Sequence, residues 1–400
     1  MPSLVLHVRL RARARSRAAA SRPRTTLIPA AFLAAVLLVA AMGAAPTAVG
    51  SPTAVASPRP ASQRVTVGVF GDSVVESLLV PNFLHQGLVP QLSRAVWSLG
   101  FAPGGVGLIP AATFRWHFNA VALFGHPIPK NGWLTIGFGA FPGYDGPSGY
   151  SVVAVSPLAT ATVAVSDPDV EVLYTSTDTP CTFNVSAAGQ TWTIDTFRPG
   201  PAIDTESPLV LPAGRHELTI HGPSCGLLLF DGVVAQRPVQ PGKVQVEVDD
   251  LGHTAGFPSD HFGPRVQQSL IEQRYDISVF LYGYLGEDVG GMWAQYLSSV
   301  TARARLAREH GGACLIVQPT PIAVPQSSVT MVSRLDRTAA RRAGCRYTTV
   351  LAHLWSNAAT AERQGLLLAD SIHPSVAGYK RIVHALAPVI AQMVRARLRP

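Results

Sequence analysis

The 400-residue chain is 47% hydrophobic and only 14% charged, with 32 basic and 24 acidic side chains and a formal net charge of +8. A chain this long and this apolar is neither intrinsically disordered nor a disulfide-stabilised miniprotein. Residues 1–50 hold seven arginines and no acidic residue, so the other 350 residues carry 25 basic and 24 acidic side chains, a net of +1. The excess charge therefore does not indicate nucleic-acid binding, and we expect no nucleic-acid partner.

The arginine-rich start is followed by an apolar run at 27–41 and by small residues at 43–45, which is the order of a secretory signal. Two interpretations of residues 1–45 stay open, a cleaved signal peptide and an uncleaved signal anchor, because the run is near the lower length limit for spanning a bilayer. Both predict a secreted or cell-envelope protein, with membrane contact only through this segment if it is uncleaved. Residues 46–62 are rich in Pro, Ser and Ala and predict a flexible linker.

The chain contains four cysteines, an even number that suits disulfide formation in an oxidising compartment. We expect the pairs Cys181–Cys225 and Cys314–Cys345, because each pair then stays within one segment of the chain. The other two connectivities remain open. No Cys-x-x-Cys motif or close Cys/His pair occurs, so we expect no metal site and no cofactor.

Alternating strand and helix patterns appear at both ends of the chain. A β-branched run at 65–70 predicts a buried strand, and a helix is predicted over 83–99. Further strands are predicted at 243–248, 277–282 and 314–318, and further helices over 265–273, 292–309, 329–343 and 374–397. This alternation predicts one α/β domain, with a parallel, doubly wound sheet, formed by residues 63–100 and 243–400.

Residues 101–242 have a different pattern, with dense glycine and proline and short segments of alternating polarity. The clearest of these segments lie at 150–155, 160–165, 170–174, 191–194 and 217–220. They predict an inserted all-β domain, a sandwich or a jelly roll. Its aromatic residues, among them Trp116 and Trp133, leave two interpretations open: stacking on sugar rings, or packing in a core.

Two short motifs lie at the edges of the predicted α/β layer. Gly71-Asp72-Ser73 directly follows the first strand, where open α/β sheets bind ligands. Asp370 and His373 precede the last helix, with Pro374 predicted as its first residue. An aspartate three residues before a histidine can orient the imidazole, which would then accept a proton from the serine. Taken alone, each motif also suits a helix-capping turn, with Ser73 as the N-cap.

Together the two motifs resemble those of the SGNH (GDSL-type) hydrolase superfamily, which carries its nucleophile in a Gly-Asp-Ser segment near the start and an Asp-x-x-His near the end. The resemblance covers 63–100 and 243–400 and implies a flavodoxin-like α/β fold. It also implies that Ser73 is the nucleophile, His373 the general base and acid, and Asp370 the residue that orients His373.

The resemblance implies an oxyanion hole formed by backbone N–H groups of Ser73 and of a glycine after the second strand. Gly256 and Gly252, within 249–256, are the candidates for that glycine, with Gly256 preferred. The glycine-rich segment at 104–107 is the alternative, although it suits better an entry turn to the inserted β segment.

The family's third motif supplies an asparagine to the same oxyanion hole, but residues 283–288, after the strand at 277–282, contain no asparagine. Losing one such donor lowers turnover about 10²–10³-fold. Glu287 and Asp288 in this segment are candidates for substrate contact, and solvated caps are the alternative.

These patterns predict a serine esterase that forms an acyl-enzyme. A β sandwich beside the α/β domain resembles the arrangement in carbohydrate esterases, which implies an acylated polysaccharide or small ester as substrate, with O-acetyl groups first. The 29 arginines against three lysines indicate a GC-rich bacterial genome, hence a cell-envelope polymer. Two alternatives remain: an O-acyltransferase with the same triad, and a carbohydrate-binding envelope protein whose catalytic site has decayed.

Overall fold

A computed structural model describes residues 64–77, 80, 82–111, 133–137, 150–154, 159–176, 178–198, 204–224, 228–252, 275–282, 293–323 and 326–398. The strands are β1 (Arg64–Gly71), β2 (Ala102–Pro103), β3 (Gly105–Pro110), β4 (Trp133–Gly137), β5 (Tyr150–Ala154), β6 (Thr160–Val165), β7 (Asp169–Thr175), β8 (Thr182–Ala187), β9 (Gln190–Asp195), β10 (Asp204–Val210), β11 (His216–His221), β12 (Leu228–Gln236), β13 (Gln245–Gly252), β14 (Ile277–Leu281), β15 (Ala313–Val317) and β16 (Arg346–Thr348). The helices are α1 (Ser73–Glu76), α2 (Phe83–Gln86), α3 (Leu88–Ser98), α4 (Trp293–Glu309), α5 (Gln326–Ala343), α6 (Ala358–Arg363) and α7 (Val376–Arg397).

Six strands form a parallel sheet in the order β16-β15-β14-β1-β13-β2. The order reverses at β1, because β13 lies on one side of it and β14 on the other. Open α/β sheets bind their ligands beside the carboxyl ends of strands at such a reversal. The parallel sheet confirms the predicted α/β fold class. The residues that follow β1 lie where a ligand is expected to bind.

Helices cover both faces of this sheet. On one face, α3 and α7 share a core with β1, to which Val67, Leu92 and Leu386 belong. On the other face, Phe70 of β1 lies in a core with Val300 of α4 and Leu335 of α5. Apolar side chains on both faces explain why the parallel strands have nearly continuous hydrophobic sequences.

The strands between β2 and β13 are antiparallel and form two sheets. One has the order β10-β7-β12-β5-β4, with β3 paired to β12, and the other has the order β6-β11-β8-β9. A shared core joins Val172 and Phe230 of the first sheet to Val185 and Leu218 of the second, as in a sandwich.

The sandwich also packs on the parallel sheet, since Leu108, Leu173 and Val234 lie in the same core as Phe70. All described residues belong to one compact unit, Ala54–Pro400. None of the helices in the part of the chain described above is long and apolar enough to cross a membrane.

Two helix boundaries differ from the sequence prediction. The helix predicted over 83–99 is divided into α2 and α3 at Gly87, which has extended backbone angles (φ −68°, ψ 176°). Pro374 is not the first residue of the last helix, because Ser375 is the N-cap and its Oγ accepts a hydrogen bond from the Gly378 N–H at 3.2 Å. The helix predicted over 265–273 lies outside the described residues.

The structure joins Cys314 and Cys345 by a disulfide with a Cα–Cα distance of 5.0 Å. This bond ties the start of β15 to the residue before β16. Cys181 is also disulfide-bonded, while its expected partner, Cys225, lies outside the described residues.

Candidate active site

The turn after β1 begins at Gly71, which pairs with Gly252 of β13 and Leu281 of β14. A Cβ atom added to Gly71 would lie 2.2 Å from Val75 Cγ2 and 2.5 Å from the Leu281 carbonyl oxygen. Only glycine fits so close an approach. The chain therefore passes from the central strand into α1 with no intervening loop, and Ser73 stands at the carboxyl edge of the sheet.

Asp72 is the capping residue of this turn. Its side chain is buried, and its Oδ1 accepts a hydrogen bond from the Val74 N–H at 3.0 Å. Ser73 is then the first residue of α1, so the alternative in which Ser73 itself is the N-cap is wrong. The N–H groups of a first helical turn have no partner within the helix, which leaves the Ser73 N–H directed beyond the helix end. The structure describes the backbone of Ser73, and its side chain lies outside the described part.

A second turn brings Asp370 and His373 together. Asp370 Oδ1 accepts hydrogen bonds from the N–H groups of Ile372 and His373, both at 2.9 Å. The other carboxylate oxygen, Oδ2, lies 2.7 Å from His373 Nδ1. Ser371 has a left-handed backbone (φ 57°), which turns the chain back over the carboxylate, and its Oγ donates to Glu362. Backbone and imidazole thus converge on one carboxylate.

These contacts set the protonation pattern of the pair. Burial alone would raise the pKa of Asp370, but hydrogen bonds from the His373 and Ile372 N–H groups and from the imidazole outweigh it and hold that pKa below its ordinary value. An ionised carboxylate can only accept, so in a neutral imidazole the proton is on Nδ1 and the lone pair is on Nε2. The His373 side chain is 13% exposed. The pair is arranged as a general base whose tautomer is fixed by a carboxylate.

The segment that carries His373 is braced against itself and against α7. The Leu368 N–H donates to the His373 carbonyl at 2.8 Å, and the Ser375 N–H donates to the Leu366 carbonyl at 2.9 Å. A Cβ atom on Gly378, in the first turn of α7, would lie 2.0 Å from that Leu366 carbonyl oxygen. Glycine at 378 therefore lets the helix start lie directly on the bracing segment.

Tyr379 connects the two turns, and sequence reasoning missed it. Its hydroxyl donates to the carbonyl of Val74 at 2.8 Å, and its side chain is 1% exposed. Val74 adjoins Ser73, and Tyr379 lies six residues after His373, so this bond holds together the elements that carry both candidate groups. The sequence contains one signal that could have revealed this contact. Tyr379 lies on the apolar stripe of α7, and the hydroxyl of a buried tyrosine needs a hydrogen-bond partner.

The two glycines predicted to donate an N–H to the oxyanion are Gly252, which the structure describes, and Gly256, which it does not. The Gly252 N–H donates to Asp250 Oδ1 at 2.9 Å, so the expectation that it faces an oxyanion does not match the structure. Burial raises the pKa of Asp250 to about 7, the Gly252 hydrogen bond lowers it, and the Asp249 charge raises it. Gly256, Glu287 and Asp288 lie outside the described residues. Among the described residues, no cluster of His, Cys, Asp and Glu could hold a metal ion.

No protein-family model and no curated protein sequence matches the chain. Among solved structures, a peptidoglycan O-acetylesterase matches with a TM-score of 0.59 and 16% identity, covering 84% of this chain and 93% of its own. A family two carbohydrate esterase from Cellvibrio japonicus matches at 10% identity and a TM-score of 0.29, covering 73% of this chain and 98% of its own.

The salicylyl-acyltransferase SsfX3 from a tetracycline biosynthetic pathway matches at 12% identity and a TM-score of 0.33, covering 64% of this chain and 85% of its own. The two lower TM-scores carry no argument, and identity as low as that of the O-acetylesterase bears on the fold alone. The parallel sheet that reverses at β1 and the likeness to the O-acetylesterase lead to one conclusion: the chain shares the α/β fold of that esterase, which agrees with the fold that the SGNH resemblance implies.

Proposed function

We propose that the protein is an exported serine esterase that removes O-acyl groups, O-acetyl groups first, from a polysaccharide of the cell envelope. The observation that carries the proposal is the Asp370–His373 pair, whose hydrogen bonds leave Nε2 able to accept a proton. The Tyr379–Val74 bond supports it, since it holds α7 against the helix that begins with Ser73. The fold shared with a peptidoglycan O-acetylesterase supports the substrate class.

The proposed reaction has two halves. The Ser73 hydroxyl attacks the ester carbonyl while His373 Nε2 takes its proton, and a tetrahedral oxyanion forms. The imidazolium, stabilised by Asp370, returns the proton to the sugar oxygen as the C–O bond breaks, which leaves an acyl-Ser73. Water then attacks this ester with His373 again as base, and the free acid and the serine are released.

The oxyanion needs donors aimed at it. We assign this role to the N–H groups of Ser73 and Gly256, because the Gly252 N–H is donated to Asp250. The asparagine that the resemblance leads one to expect is absent, and a missing donor costs about 10²–10³ in turnover. We therefore expect a slow but Ser73-dependent enzyme.

The test is hydrolysis of p-nitrophenyl acetate by the wild-type protein and by Ser73→Ala, with Ser98→Ala as the matched control. Ser98 is an exposed serine at the end of α3 whose Oγ donates to the Ala95 carbonyl. We expect Ser73→Ala to lower kcat/KM at least 10³-fold and Ser98→Ala to leave it unchanged. Equal rates for all three proteins would overturn the proposal.

The substrate class is tested with O-acetylated peptidoglycan, by measuring acetate released per unit time. Acetate release that depends on Ser73 supports the esterase. An acceptor sugar that becomes acetylated in place of acetate release would instead identify an acyltransferase with the same triad.

A further inference from the structure

The near-neutral charge of the chain after residue 50 conceals two oppositely charged regions. Residues 293–400 contain fourteen basic and four acidic side chains, a net of +10, whereas residues 51–292 contain eleven basic and twenty acidic ones, a net of −9. The positive charge therefore belongs to α4, α5, α7 and their connections. Charge separated in this way creates a field at the surface that the net value of +1 does not reveal.

Much of this charge lies at one edge of the parallel sheet. Because α4 leads from the end of β14 to the start of β15, and α5 from the end of β15 to the start of β16, both helices end where the strands begin. Arg397, in the last turn of α7, lies 3.8 Å from Asp276, the residue before β14. We call the surface where the parallel strands begin the amino edge. The candidate active site lies at the opposite, carboxyl edge.

Five exposed arginines cluster at the amino edge and are called the arginine group here. They are Arg305, Arg308, Arg341, Arg342 and Arg346. Arg305 Nε donates to the Arg342 carbonyl at 3.3 Å, and Arg346 Nη2 donates to Gln392 Oε1 of α7 at 2.9 Å, so the ends of α4, α5, β16 and α7 form one surface.

No member of the arginine group forms an ion pair with a described carboxylate. The acids of α4 and α5 are Glu309, which is exposed, and Asp336, which is buried. Cations near a helix C-terminus interact favourably with its dipole, which accounts for one or two arginines per helix. It does not account for Arg346, which begins a strand, nor for five guanidinium groups that form no ion pair with a described carboxylate. Like charges gathered at one edge of the fold favour an anionic partner.

Two exposed leucines also lie at the amino edge. Leu99 follows α3 and Leu398 follows α7, and each is 37% exposed. Arg395 Nη2 donates to the Leu99 carbonyl at 2.8 Å, which joins the ends of these two helices. A dissolved polyanion would need charges alone, whereas arginines and exposed leucines on one edge of the fold suit the headgroup region of a bilayer.

The direction of the chain agrees with a membrane on this side. The strand β1 begins at the amino edge with Arg64, so the residues before it are joined to the fold there. The apolar run at 27–41 is separated from Arg64 by 22 residues, which span at most about 75 Å when extended.

We propose that the amino edge, through the arginine group and the two leucines, docks on the surface of an anionic phospholipid bilayer. Docking in this orientation directs the carboxyl edge, with Ser73 and His373, away from the lipid. The attraction is electrostatic, at about 1 kcal/mol for each arginine near an anionic surface, and salt weakens it.

The test places a fluorophore at either edge of the protein produced from its whole sequence, whether or not the host removes residues 1–45. The described cysteines are in disulfides, so an introduced cysteine can be labelled selectively. Ser98→Cys puts an environment-sensitive label beside Leu99, and Gln364→Cys puts one in the exposed turn after α6, near His373. Each protein is titrated with phosphatidylglycerol/phosphatidylcholine vesicles and with pure phosphatidylcholine vesicles.

We expect the fluorescence at position 98 to rise at least twofold on anionic vesicles only, to return to baseline in about 0.5 M salt, and to stay constant at position 364. The triple variant Arg341→Gln, Arg342→Gln, Arg346→Gln should need about 100-fold more anionic lipid, from about 1 kcal/mol per arginine. The charge-matched control Arg363→Gln, Lys380→Gln, Arg381→Gln should change this requirement less than twofold.

Any of four results would overturn the proposal. One is an unresponsive label at position 98, and a second is an equal response at position 364. Another is equally weakened vesicle binding in both triple variants, which would mean that binding depends on net charge and not on the position of the arginines. The fourth is a response of position 98 to soluble polyphosphate but not to vesicles, which would make the partner a dissolved polymer.

Discussion

The turns that lead into α1 and α7 are built alike, yet they use an aspartate differently. In both, an Oδ1 accepts a hydrogen bond from the N–H two residues further on, Asp72 from Val74 and Asp370 from Ile372. Asp72 is buried beneath the helix that it caps, whereas the Asp370 side chain is 38% exposed and its second oxygen meets His373. The same local motif therefore caps a helix at Asp72 and becomes part of a candidate catalytic pair at Asp370, where His373 lies beside the second oxygen.

The largest effect is expected when the aspartate of each turn is replaced separately by asparagine, because only one of the two aspartates contacts His373. In Asp370→Asn the amide oxygen can still accept from the backbone N–H groups, and the NH₂ group then faces His373 Nδ1. An NH₂ donor beside Nδ1 no longer favours the tautomer that has its proton on Nδ1. We expect kcat/KM for p-nitrophenyl acetate to fall about 10³–10⁴-fold, with little change in the unfolding midpoint.

The matched control is Asp72→Asn. Asparagine caps a helix about as well as aspartate, so the turn after β1 should survive and kcat/KM should fall less than tenfold. Comparable losses in the two variants would mean that both carboxylates have the same role, and the distinction between the turns would be wrong.

A smaller effect is expected from the bond that joins the two turns. Tyr379→Phe removes the donor to the Val74 carbonyl, which still accepts from Ser77 Oγ at 3.2 Å. We expect a stability loss of about 1 kcal/mol and, because α1 is held less firmly against α7, an up to tenfold lower kcat with nearly constant KM.

Tyr174→Phe is the control for this prediction. Tyr174 is also buried, and its hydroxyl donates to a backbone carbonyl, that of Asp195, within the antiparallel part. It should lose similar stability and keep full activity. If both variants kept full activity, Tyr379 would be a packing residue and not a positioning one.

The smallest effect on activity is expected at a third carboxylate, Asp336 of α5, whose second oxygen has no hydrogen-bond partner among the described residues. Its Oδ1 accepts from the Tyr296 hydroxyl, and its Oδ2 is buried without a hydrogen-bond partner. Burial raises the pKa of Asp336 to about 8, although the Tyr296 bond lowers it. The folded protein thus keeps a proton that the unfolded chain releases near pH 4.

The sign of the pH effect follows from this difference. Between about pH 4 and pH 8 the folded state binds more protons than the unfolded state, so this group makes the free energy of unfolding decrease as pH rises. Asp336→Asn should remove that slope, stabilising the protein by about 1 kcal/mol at pH 5 and by several kcal/mol at pH 8.5. Urea unfolding at both values tests it, and an equal effect at both would contradict the raised pKa.

Sequence patterns predicted the parallel sheet well because β1, β14 and β15 are short apolar runs bounded by turn residues. They missed β12, whose apolar sequence is interrupted by Asp231 and Gly232, so it shows neither a continuous apolar run nor a regular alternation of polarity. The six residues of α6 are too few to show helical periodicity. Gly87, which divides the predicted helix over 83–99, has an extended backbone that side-chain spacing does not encode.

In the candidate site, too, local contacts were predictable from the sequence and contacts between distant segments were not. Asp370 and His373 were predictable because a three-residue spacing within one turn is a local property. The Tyr379–Val74 bond joins residues 305 positions apart and exists only because α7 packs beside α1. Gly252 was a reasonable oxyanion candidate by position, but its N–H is donated to Asp250, and the direction of an N–H is set by backbone geometry.

Covalent labelling can test whether Ser73 is a nucleophile activated by His373. The protein is treated with a fluorophosphonate, digested, and its peptides are analysed by mass spectrometry. We expect one adduct, on Ser73, which is absent in Ser73→Ala and forms at least 100-fold more slowly in His373→Ala. An adduct on another residue, or none in a preparation that hydrolyses p-nitrophenyl acetate, would contradict it.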